Sequence, residues 1–551
     1  MSDAHPGPTG PDPRPAPAAP PVPGGAAVSP VDREAVLSVA AVLPHWLATV
    51  SAVRRLTGVQ AAIWHDGELV CEVAVGAADE TTGTQLATTH RLRIASHSKM
   101  FTALAVMRLA EQGVLRLDDT LGERVAELAG SPVASLTLHD LLSHSAGLTR
   151  DGADASWWNL ERPFPDRAAL LQIARTSAAV LEPGLHLQYS NIGYGLLGLV
   201  IEDAAGAPFD EAVRTLVLDP AGAGDIGPDL PPDAPGPEDP HGFAPGHTSR
   251  LHGDRRAVEQ IPTGALAAAT GFWATAGAIA TFAGRALTGD AVVSEAGLRR
   301  MRRRVWTLAD GAGYGLGLQE ATIHGLSGIG HSGGFPTGLT RTWAVPASRL
   351  AVSVLGTSID APASDLAAGV LGLLALASGS AAAKAAAHER SGALGGGSDG
   401  RRRPKPLAEQ DEVAIGGAPM PAARLARIVA GSYDSLWGRT RLAVLGGRLF
   451  ALDEDALDPA ETALELRIGA VVAAPSGGGE DEGSTDPGPA GTVILELPAW
   501  GDSGYGAWAE PLRVRLLPGP EGLRPASLWI TGQTLLPAGD VDLPERIRAP
   551  R

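Results

Sequence analysis

The sequence predicts an α/β sandwich built around an antiparallel sheet, followed by a smaller all-β domain. Strand-like runs lie at both ends of the first 380 residues, at 58–79 and 314–356, and mainly helical patterns lie between them. Because strands from both ends can join one sheet while the intervening helices cover its faces, this order favours a layered α/β fold. Beyond residue 420, short alternating apolar runs separated by turn residues are typical of a β sandwich or barrel.

Length and composition divide the chain into four parts. At 551 residues the chain is too long for one ordinary domain, and 44% hydrophobic residues are enough for a sizeable core. The proline-rich residues 1–30 are predicted to be disordered, and residues 31–380 to form the larger domain. Residues 381–419 have the composition of a linker, and residues 420–551 are predicted to form the all-β domain.

Net charge and residue usage argue against several classes of function. The net charge of −17 opposes a broad nucleic-acid-binding surface. The 14 histidines and one cysteine show no spacing typical of a metal site, so neither a metal nor another cofactor is expected. We therefore expect a small molecule or a short peptide as the partner, and self-association into a homo-oligomer is compatible with the sequence.

Two apolar stretches bear on the expected location. Proline interrupts the N-terminus too often for the apolar core of a signal peptide. The apolar run at 366–377 is too short to span a bilayer and predicts a buried helix. We therefore expect no membrane span and a cytoplasmic location.

The elements of the larger domain can be assigned in chain order. Helical patterning runs from Val31 to Val53, and two apolar runs about a His-Asp-Gly turn predict a β-hairpin over 58–79. After Lys99, an apolar helix is predicted to end at Gly113 and to lie in the core. The remaining expectations are helices around 138–142, 168–175 and 193–203, a Pro/Gly-rich surface loop over 219–252, and strands over 314–356.

The stretch "RIASHSKMFTAL" places Ser96 and Lys99 three positions apart at the start of an apolar helix. Only three of the chain's 44 lysine and arginine residues are lysines, so a lysine here is an exception. A desolvated lysine can give up its proton, whereas a guanidinium stays charged. Because residues three apart share a helix face, we expect the amine of Lys99 to reach the hydroxyl of Ser96 and to act as a base there.

Two further elements complete the candidate site. In "LQYSNIGYG", Tyr189 offers a phenol that can shuttle a proton if the nearby lysine lowers its pKa, and Asn191 offers an amide to hold the lysine and a substrate carbonyl. In "GIGHSGGFPTG", His331 opens a strand-like segment whose glycines let a substrate lie against the backbone, and its side chain is expected either to line the pocket wall or to hydrogen-bond with Tyr189. There the N–H of Gly334 could pair with that of Ser96 as an oxyanion hole.

In their order and spacing, these elements resemble the motifs of the serine β-lactamase and penicillin-binding-protein superfamily, in its branch of class C β-lactamases, DD-carboxypeptidases, D-aminopeptidases and esterases. The segments "VASLTLHDLLSHSAGL" at 133–148 and "YGLGLQ" at 314–319 are similar to that family as well. The resemblance covers about the first 380 residues and implies a β-lactamase/transpeptidase-like fold. The site residues that it implies are Ser96, Lys99 and Tyr189 as catalytic groups, Asn191, His331 and Gly333 as substrate-binding or orienting groups, and the N–H groups of Ser96 and Gly334 as the oxyanion hole.

The resemblance implies a serine hydrolase that forms a covalent acyl-enzyme on an ester, a D-amino-acid amide or peptide, or a β-lactam-like carbonyl. Whether Lys99 or Tyr189 is the acylating base stays open. Where the family commonly carries Lys-Thr-Gly, this chain has His331, Ser332 and Gly333. The change removes a fixed positive charge for a free carboxylate, which puts penicillin recognition in doubt. We therefore expect an esterase or a D-aminopeptidase/carboxypeptidase-like activity.

Two alternatives remain at this stage. The segment "GHSGG" at 330–334 matches the Gly-x-Ser-x-Gly nucleophile elbow of α/β-hydrolases, which would make Ser332 the nucleophile. The elbow requires a helix directly after the serine, but Pro336 and a strand-like pattern follow it. The other alternative is a non-catalytic sensor or scaffold that keeps the pocket and uses the β domain for binding.

Overall fold

The computed structural model describes residues 30–308, 311–378, 406–415, 418–445, 447–453, 464–473, 492–498, 510–520 and 522–540. The predicted N-terminal tail over 1–29 and most of the predicted linker lie outside the described residues.

A nine-stranded antiparallel sheet forms the centre of the first domain. The strands of this domain are β1 (Gly58–His65), β2 (Glu68–Asp79), β3 (Thr84–Gln85), β4 (Leu92–Arg93), β5 (Gly246–His247), β6 (Ala257–Val258), β7 (Trp273–Ala274), β8 (Trp306–Thr307), β9 (Gly313–Tyr314), β10 (Gln319–Ile323), β11 (Leu326–Phe335), β12 (Gly338–Val345) and β13 (Leu350–Gly356). The sheet order is β3-β2-β1-β13-β12-β11-β10-β9-β8, while β4 with β7 and β5 with β6 form separate ribbons. The predicted hairpin therefore pairs with the last strand of the domain, and the predicted α/β sandwich with an antiparallel sheet is confirmed.

Helices cover both faces of this sheet. They are α1 (Arg33–Arg54), α2 (Ser98–Glu111), α3 (Leu121–Arg124), α4 (Leu138–Leu142), α5 (Arg167–Thr176), α6 (Asn191–Ala205), α7 (Phe209–Val213), α8 (Asp219–Ala221), α9 (Ala276–Leu287), α10 (Glu295–Met301) and α11 (Ala363–Ala377). The first and last of them, α1 and α11, share one apolar core with one face of the sheet. The helix α2 lies in the larger core on the other face, and eleven of its 14 residues are buried. Because α2 is buried almost all round, packing on every side holds it in place.

The helix α1 bears on the question of membrane association. In the described part of the chain it is the one helix that is long and apolar enough to cross a membrane, by length and composition only. Its side chains Val36, Leu43 and Leu47 are buried in the core that α1 shares with the sheet. The expected absence of a membrane span and the cytoplasmic location stay predictions.

The second domain is a closed β-barrel-like sheet. Its elements are β14 (Val413–Ile415), β15 (Ala418–Met420), α12 (Ala422–Val429), β16 (Gly431–Ser435), β17 (Gly438–Leu445), β18 (Arg448–Asp453), β19 (Leu464–Leu466), β20 (Val471–Ala473), β21 (Val493–Leu497), β22 (Leu512–Gly519), β23 (Gly522–Ile530) and β24 (Gln533–Pro537). The sheet order is β19-β18-β17-β16-β24-β23-β22-β21-β20. Because β19 and β20 belong to one segment, 464–473, that pairs with β18 at one end and β21 at the other, the sheet closes on itself and confirms the all-β domain.

The two domains are in direct contact through the β16–β17 hairpin. Leu436 at the hairpin tip is buried in the core of the first domain, and Trp437 packs against the same core. Near the end of the predicted linker, Leu407 is buried in the core of the barrel. The division of the chain into domains at 380 and 419 stays a prediction.

Candidate active site

Ser96 lies in a short 3₁₀ turn, Ala95–His97, directly before α2. Ala95 has a φ of 47°, in the left-handed region that residues other than glycine seldom adopt. The hydroxyl of Ser98 donates to the carbonyl of Ala95 at 2.5 Å and accepts the N–H of Phe272 at 3.0 Å. These contacts hold the strained turn and keep the Ser96 side chain partly exposed at the mouth of the helix.

Lys99 lies one turn further along α2, with its side chain fully buried. Its ammonium nitrogen is 3.4 Å from Oγ of Ser96, 2.7 Å from Oδ1 of Asn191 and 2.9 Å from the carbonyl oxygen of Ala269. Burial lowers the pKa of Lys99 well below its ordinary value, and the negative charge of Asp151 partly opposes this shift. The predicted contact between the lysine amine and the serine hydroxyl is therefore present, and the amine lies in surroundings that favour its neutral form.

The carboxylate of Asp151 is a part of the site that sequence reasoning missed. Its Oδ1 accepts a hydrogen bond of 2.8 Å from Nδ2 of Asn191, so it fixes the amide whose oxygen accepts from Lys99. Asp151 is fully buried, which raises its pKa, while the neighbouring Arg150 acts in the opposite direction with Nε 3.2 Å from Oδ2. In the sequence, Asp151 lies in the segment "LTRDGADASWW" at 148–158, and nothing in that pattern signals burial.

Tyr189 lies beside both Ser96 and Lys99. The phenol hydrogen-bonds with the Ser96 side chain, and the Lys99 nitrogen lies over the tyrosine ring, 4.6 Å from its centroid. Burial raises the pKa of Tyr189, in spite of the hydrogen bond with Ser96. The condition for a proton shuttle, a pKa of Tyr189 lowered by the lysine, is therefore not met, because desolvation by burial dominates.

His331 contacts a tyrosine other than the one expected. Its Nδ1 lies 2.6 Å from the carbonyl oxygen of Ser332, which requires an N–H at Nδ1, so that Nε2 accepts from the hydroxyl of Tyr314 at 3.3 Å. The expected alternative, a hydrogen bond with Tyr189, is not what the geometry shows, since the two rings are 6.4 Å apart between centroids. Burial lowers the pKa of His331 well below its ordinary value, so the side chain is neutral and brings no positive charge.

Gly333 and Gly334 place the backbone of β11 against the 3₁₀ turn Ala95–His97, which carries Ser96 and is called the nucleophile turn below. A Cβ atom on Gly333 would lie 2.2 Å from the carbonyl oxygen of Ile94, two residues before Ser96, so only glycine allows this approach. The pairing of β10 with β11 ends at Gly330, so the following residues of β11 lie beyond that ladder. This arrangement is compatible with the predicted pairing of the Ser96 and Gly334 N–H groups, which stays a prediction.

The geometry excludes the nucleophile elbow at Ser332. This serine lies within β11 and pairs across the sheet with Arg341, and β11 continues through Phe335 into a hairpin with β12. Successive residues of a strand point to opposite faces, so Ser332 faces away from the side that His331 shares with Tyr189. The α/β-hydrolase interpretation is therefore wrong, because the strand-to-helix turn it needs is absent at this position.

The barrel provides part of the outer wall of the site. The indole N–H of Trp437 donates to the carbonyl of Trp158 at 3.1 Å, and the two rings meet edge to face with centroids 5.9 Å apart. The Trp437 ring also lies 3.4 Å from the position that a Cβ on Gly334 would occupy. The sequence left open whether the barrel covers the active site or mediates assembly, and the structure places it at the edge of the site.

Known proteins were compared with this chain by sequence and by fold. The model of the Beta-lactamase family matches residues 45–377. Esterase EstB of Burkholderia gladioli is 32% identical over 196 residues, which cover 32% of this chain and 47% of the esterase. A putative D-alanyl-D-alanine carboxypeptidase of Escherichia coli O157:H7 is 31% identical over 183 residues, which cover 30% of this chain and 42% of that protein. The matched region thus spans less than half the length of these curated relatives.

Two solved structures share the fold. The octameric penicillin-binding protein homologue from Pyrococcus abyssi aligns with a TM-score of 0.53 and 21% identity, covering 90% of this chain and 99% of that chain. The D-amino acid amidase from Ochrobactrum anthropi SV3 aligns with a TM-score of 0.52 and 20% identity, covering 62% of this chain and 98% of that chain. The first of these alignments extends over both domains, so the pairing of a sandwich with a barrel recurs in a known structure.

Proposed function

The chain belongs to the Beta-lactamase family, and from that premise we propose that it is a serine hydrolase that forms a covalent acyl-enzyme at Ser96. The observation that carries this proposal is the buried amine of Lys99 at 3.4 Å from the Ser96 hydroxyl, with a pKa lowered by burial. A neutral amine at hydrogen-bond reach of a hydroxyl is the arrangement that general-base activation of a serine requires.

The directions of the pKa shifts favour different roles for Lys99 and Tyr189 in proton transfer. Because burial lowers the pKa of Lys99 and raises that of Tyr189, the amine is the better base and the phenol the better acid. In the proposed acylation step, Lys99 takes the proton of Ser96 while Oγ bonds to the substrate carbonyl carbon. The bond to the leaving group then breaks as Tyr189 donates a proton to it. A water molecule later attacks the acyl carbon and gives a proton to the Tyr189 phenolate, while the bond to Oγ breaks and Lys99 returns its proton to Ser96.

The proposed oxyanion hole consists of the N–H groups of Ser96 and Gly334. Support comes from the close approach of the Gly333 backbone to Ile94, which brings β11 next to the nucleophile turn. Two fixed N–H groups stabilise the negative charge that develops on the carbonyl oxygen. Asn191 is proposed to orient Lys99 and the substrate, since its amide oxygen already accepts from the amine at 2.7 Å.

We propose an ester, a D-amino-acid amide or a short peptide as the substrate rather than a penicillin. The neutral, buried His331 stands where many family members carry a lysine, so this position brings no charge for a free carboxylate. Arg341, the alternative source of such a charge, donates to Oε1 of Gln319 at 2.5 Å and stacks on the ring of Trp343. The names of the esterase relative and of the amidase neighbour agree with an ester or an amide substrate.

Self-association is a secondary part of this proposal. The structural neighbour that matches over both domains is described as octameric. Light scattering behind a sizing column measures the mass of the purified chain, and a monomer would contradict this part without affecting the chemistry.

The experiment that tests the proposed function is labelling with a fluorophosphonate serine-hydrolase probe, followed by intact mass, with p-nitrophenyl acetate turnover measured in parallel. We expect the wild type to be labelled and active, Ser96→Ala to lose both, and Ser332→Ala to keep both. Ser332 is the matched control, because it is the serine of the competing motif. An unlabelled, inactive wild type would support a non-catalytic sensor or scaffold instead.

A further inference from the structure

One acidic side chain of the barrel reaches the segments that hold the candidate catalytic groups. Glu510 lies two residues before β22 and is only 8% exposed. Its Oε1 accepts from Nε2 of Gln188 at 3.1 Å and from the backbone N–H of Arg150 at 3.3 Å. Glu510 thus connects two segments of the first domain, at Arg150 and at Gln188, which lie 38 positions apart in the sequence.

Each of these two segments carries a group of the site. Gln188 directly precedes Tyr189, and Arg150 directly precedes Asp151. Asp151 accepts from Asn191, whose amide oxygen accepts from Lys99. Hydrogen bonds between the backbone N–H of Asn191 and the carbonyl of Arg150, at 2.8 Å, tie the two segments to each other. A displacement of Glu510 would therefore move both segments. It would shift the Tyr189 phenol and the Asn191 amide, which accepts from Lys99, because these groups are connected to the contacts of Glu510 through only one or two residues.

We propose that Glu510 is a positioning residue for the reaction, which aligns Tyr189 and Asn191 with Ser96 when the barrel is docked on the first domain. This inference rests on the proposed function. Glu510 does not touch the substrate in this proposal, because its carboxylate is buried between Gln188 and Arg150. The barrel therefore completes the active site without contributing a reacting atom.

Docking of the two domains alone does not account for a buried carboxylate. Other contacts hold the barrel on the loop that follows Asp151: the N–H of Ala155 donates to the carbonyl of Gly532 at 2.7 Å, and Nδ2 of Asn159 donates to the carbonyl of Thr534 at 3.4 Å. Burying an ionised carboxyl costs free energy, which the raised pKa of Glu510 reflects. A buried carboxylate therefore adds little to the docking of the two domains. It is, however, a strong acceptor that holds the N–H groups of Gln188 and Arg150 in fixed relative positions.

The test uses the full chain with Glu510→Ala, Glu510→Gln and the matched control Asn159→Ala. The control removes one inter-domain hydrogen bond of the same interface but contacts neither Gln188 nor Arg150. The measurements are kcat and KM on p-nitrophenyl acetate, the rate of fluorophosphonate labelling at Ser96, and the midpoint of thermal unfolding.

We expect Glu510→Ala to lower kcat and the labelling rate together by about 10- to 100-fold with KM nearly unchanged, because a small misplacement of catalytic groups has effects of that size. Glu510→Gln should restore most of kcat, since its amide oxygen can accept from the same two N–H groups. Asn159→Ala should keep the wild-type kcat. If Glu510→Ala does not fold, Gln188→Ala removes the same hydrogen bond from the other partner and should lower kcat in the same way.

Three results would overturn the proposal: a wild-type kcat in Glu510→Ala, a loss in Asn159→Ala equal to that in Glu510→Ala, or a wild-type kcat in Gln188→Ala where Glu510→Ala is unfolded. Turnover by the wild type separates the two levels of inference. If the wild type is active and labelled while Glu510→Ala matches it, only the role of Glu510 fails. If the wild type is neither labelled nor active, the proposed function itself fails.

Discussion

The inner and outer sides of the candidate site are held in different ways. On the inner side, the Lys99 amine is fully buried within the first domain and has three oxygen acceptors there, at 2.7 to 3.4 Å. On the outer side, Trp437 and Glu510 come from the barrel and contact a carbonyl, an N–H and one side-chain amide of the first domain. The difference agrees with the two proposals, in which the first domain holds the reacting groups and the barrel aligns the segments around them.

The strongest test of the inner side is Lys99→Arg. The guanidinium stays protonated and cannot act as a base, so we expect kcat/KM on p-nitrophenyl acetate to fall by about 10²- to 10⁴-fold. Lys405→Arg is the matched control, because this lysine lies in the predicted linker. Activity near the wild-type level in Lys99→Arg would shift the role of base to Tyr189.

The two glycines of β11 offer a matched pair at the border between the two sides. In Gly333→Ala the new Cβ would lie 2.2 Å from the Ile94 carbonyl, whereas in Gly334→Ala it would lie no nearer than 3.2 Å, from Cδ2 of Leu339. We expect Gly333→Ala to lower kcat/KM by about 10²-fold, since displacing β11 misplaces the oxyanion hole, and Gly334→Ala to stay close to wild type. Equal activities of the two folded variants would contradict the close packing of β11 on the nucleophile turn.

Asp151→Asn tests how the negative charge of the Asp151 carboxylate affects Lys99 on the inner side. The carboxylate raises the pKa of Lys99, so its removal should lower that pKa further. The limb of the kcat/KM pH profile that reports Lys99 should therefore move to lower pH. The matched control is Asp154→Asn in the same loop, because Asp154 pairs with the exposed Arg162. An unmoved limb in Asp151→Asn would mean that Asp151 acts through hydrogen bonding alone.

Trp437→Ala tests the outer side. Loss of the indole should widen the pocket near Gly334, so the kcat/KM ratio of a bulky to an acetyl ester should rise by about 3- to 10-fold, as for other changes of apolar pocket volume. The acetyl ester itself should be nearly unaffected. Trp529→Ala is the control, because Trp529 contacts the carbonyl of Ala153 from the same barrel but lies on another strand. An unchanged ratio would place Trp437 outside the substrate path.

The last effect concerns stability rather than activity, and it also separates the two regions. Burial lowers the pKa of His97 to about 3, and it lowers those of His144 and His331 well below their ordinary values. The unfolded chain therefore binds more protons below pH 6.5, so the free energy of unfolding should fall as the pH drops from about 6.5 towards 3, by up to about 1.4 kcal/mol per unit for each histidine.

The barrel lacks this source of acid sensitivity. All 14 histidines precede residue 389, so residues 420–551 contain none. Hydrogen exchange on the full chain at pH 7 and pH 4.5, corrected for intrinsic rates, should show a larger loss of protection in the first domain than in the barrel. An equal loss in both would mean that other groups dominate the acid response.

Local spacing was sufficient to find the centre of the site. Ser96 and Lys99 lie three residues apart at a helix start, and such residues share a face whatever the rest of the fold does. Asp151 and Glu510 could not be found in this way. Their hydrogen bonds to Asn191 and Gln188 join residues 40 and 322 positions apart, and neither carboxylate follows a recognisable pattern.

The pKa of Tyr189 and the partner of His331 show the same limit. The sequence indicates that the tyrosine and the lysine are neighbours, but the sign of the pKa shift depends on the burial of the phenol, which local spacing does not show. Likewise, the choice between Tyr189 and Tyr314 as the partner of His331 depends on ring positions that only packing sets.

By itself, the sequence determined the α/β sandwich, the all-β second domain and the identity of the nucleophile candidate and its lysine, because periodicity and short-range spacing are properties of the chain alone. Tertiary structure decided that the carboxylate of Asp151 lies near Lys99 and that Ser332 faces away from the candidate site. It also decided that the barrel forms the outer wall of that site. These features arise from burial and from contacts between distant segments, and burial is what changes the pKa of a side chain and the partner that it selects.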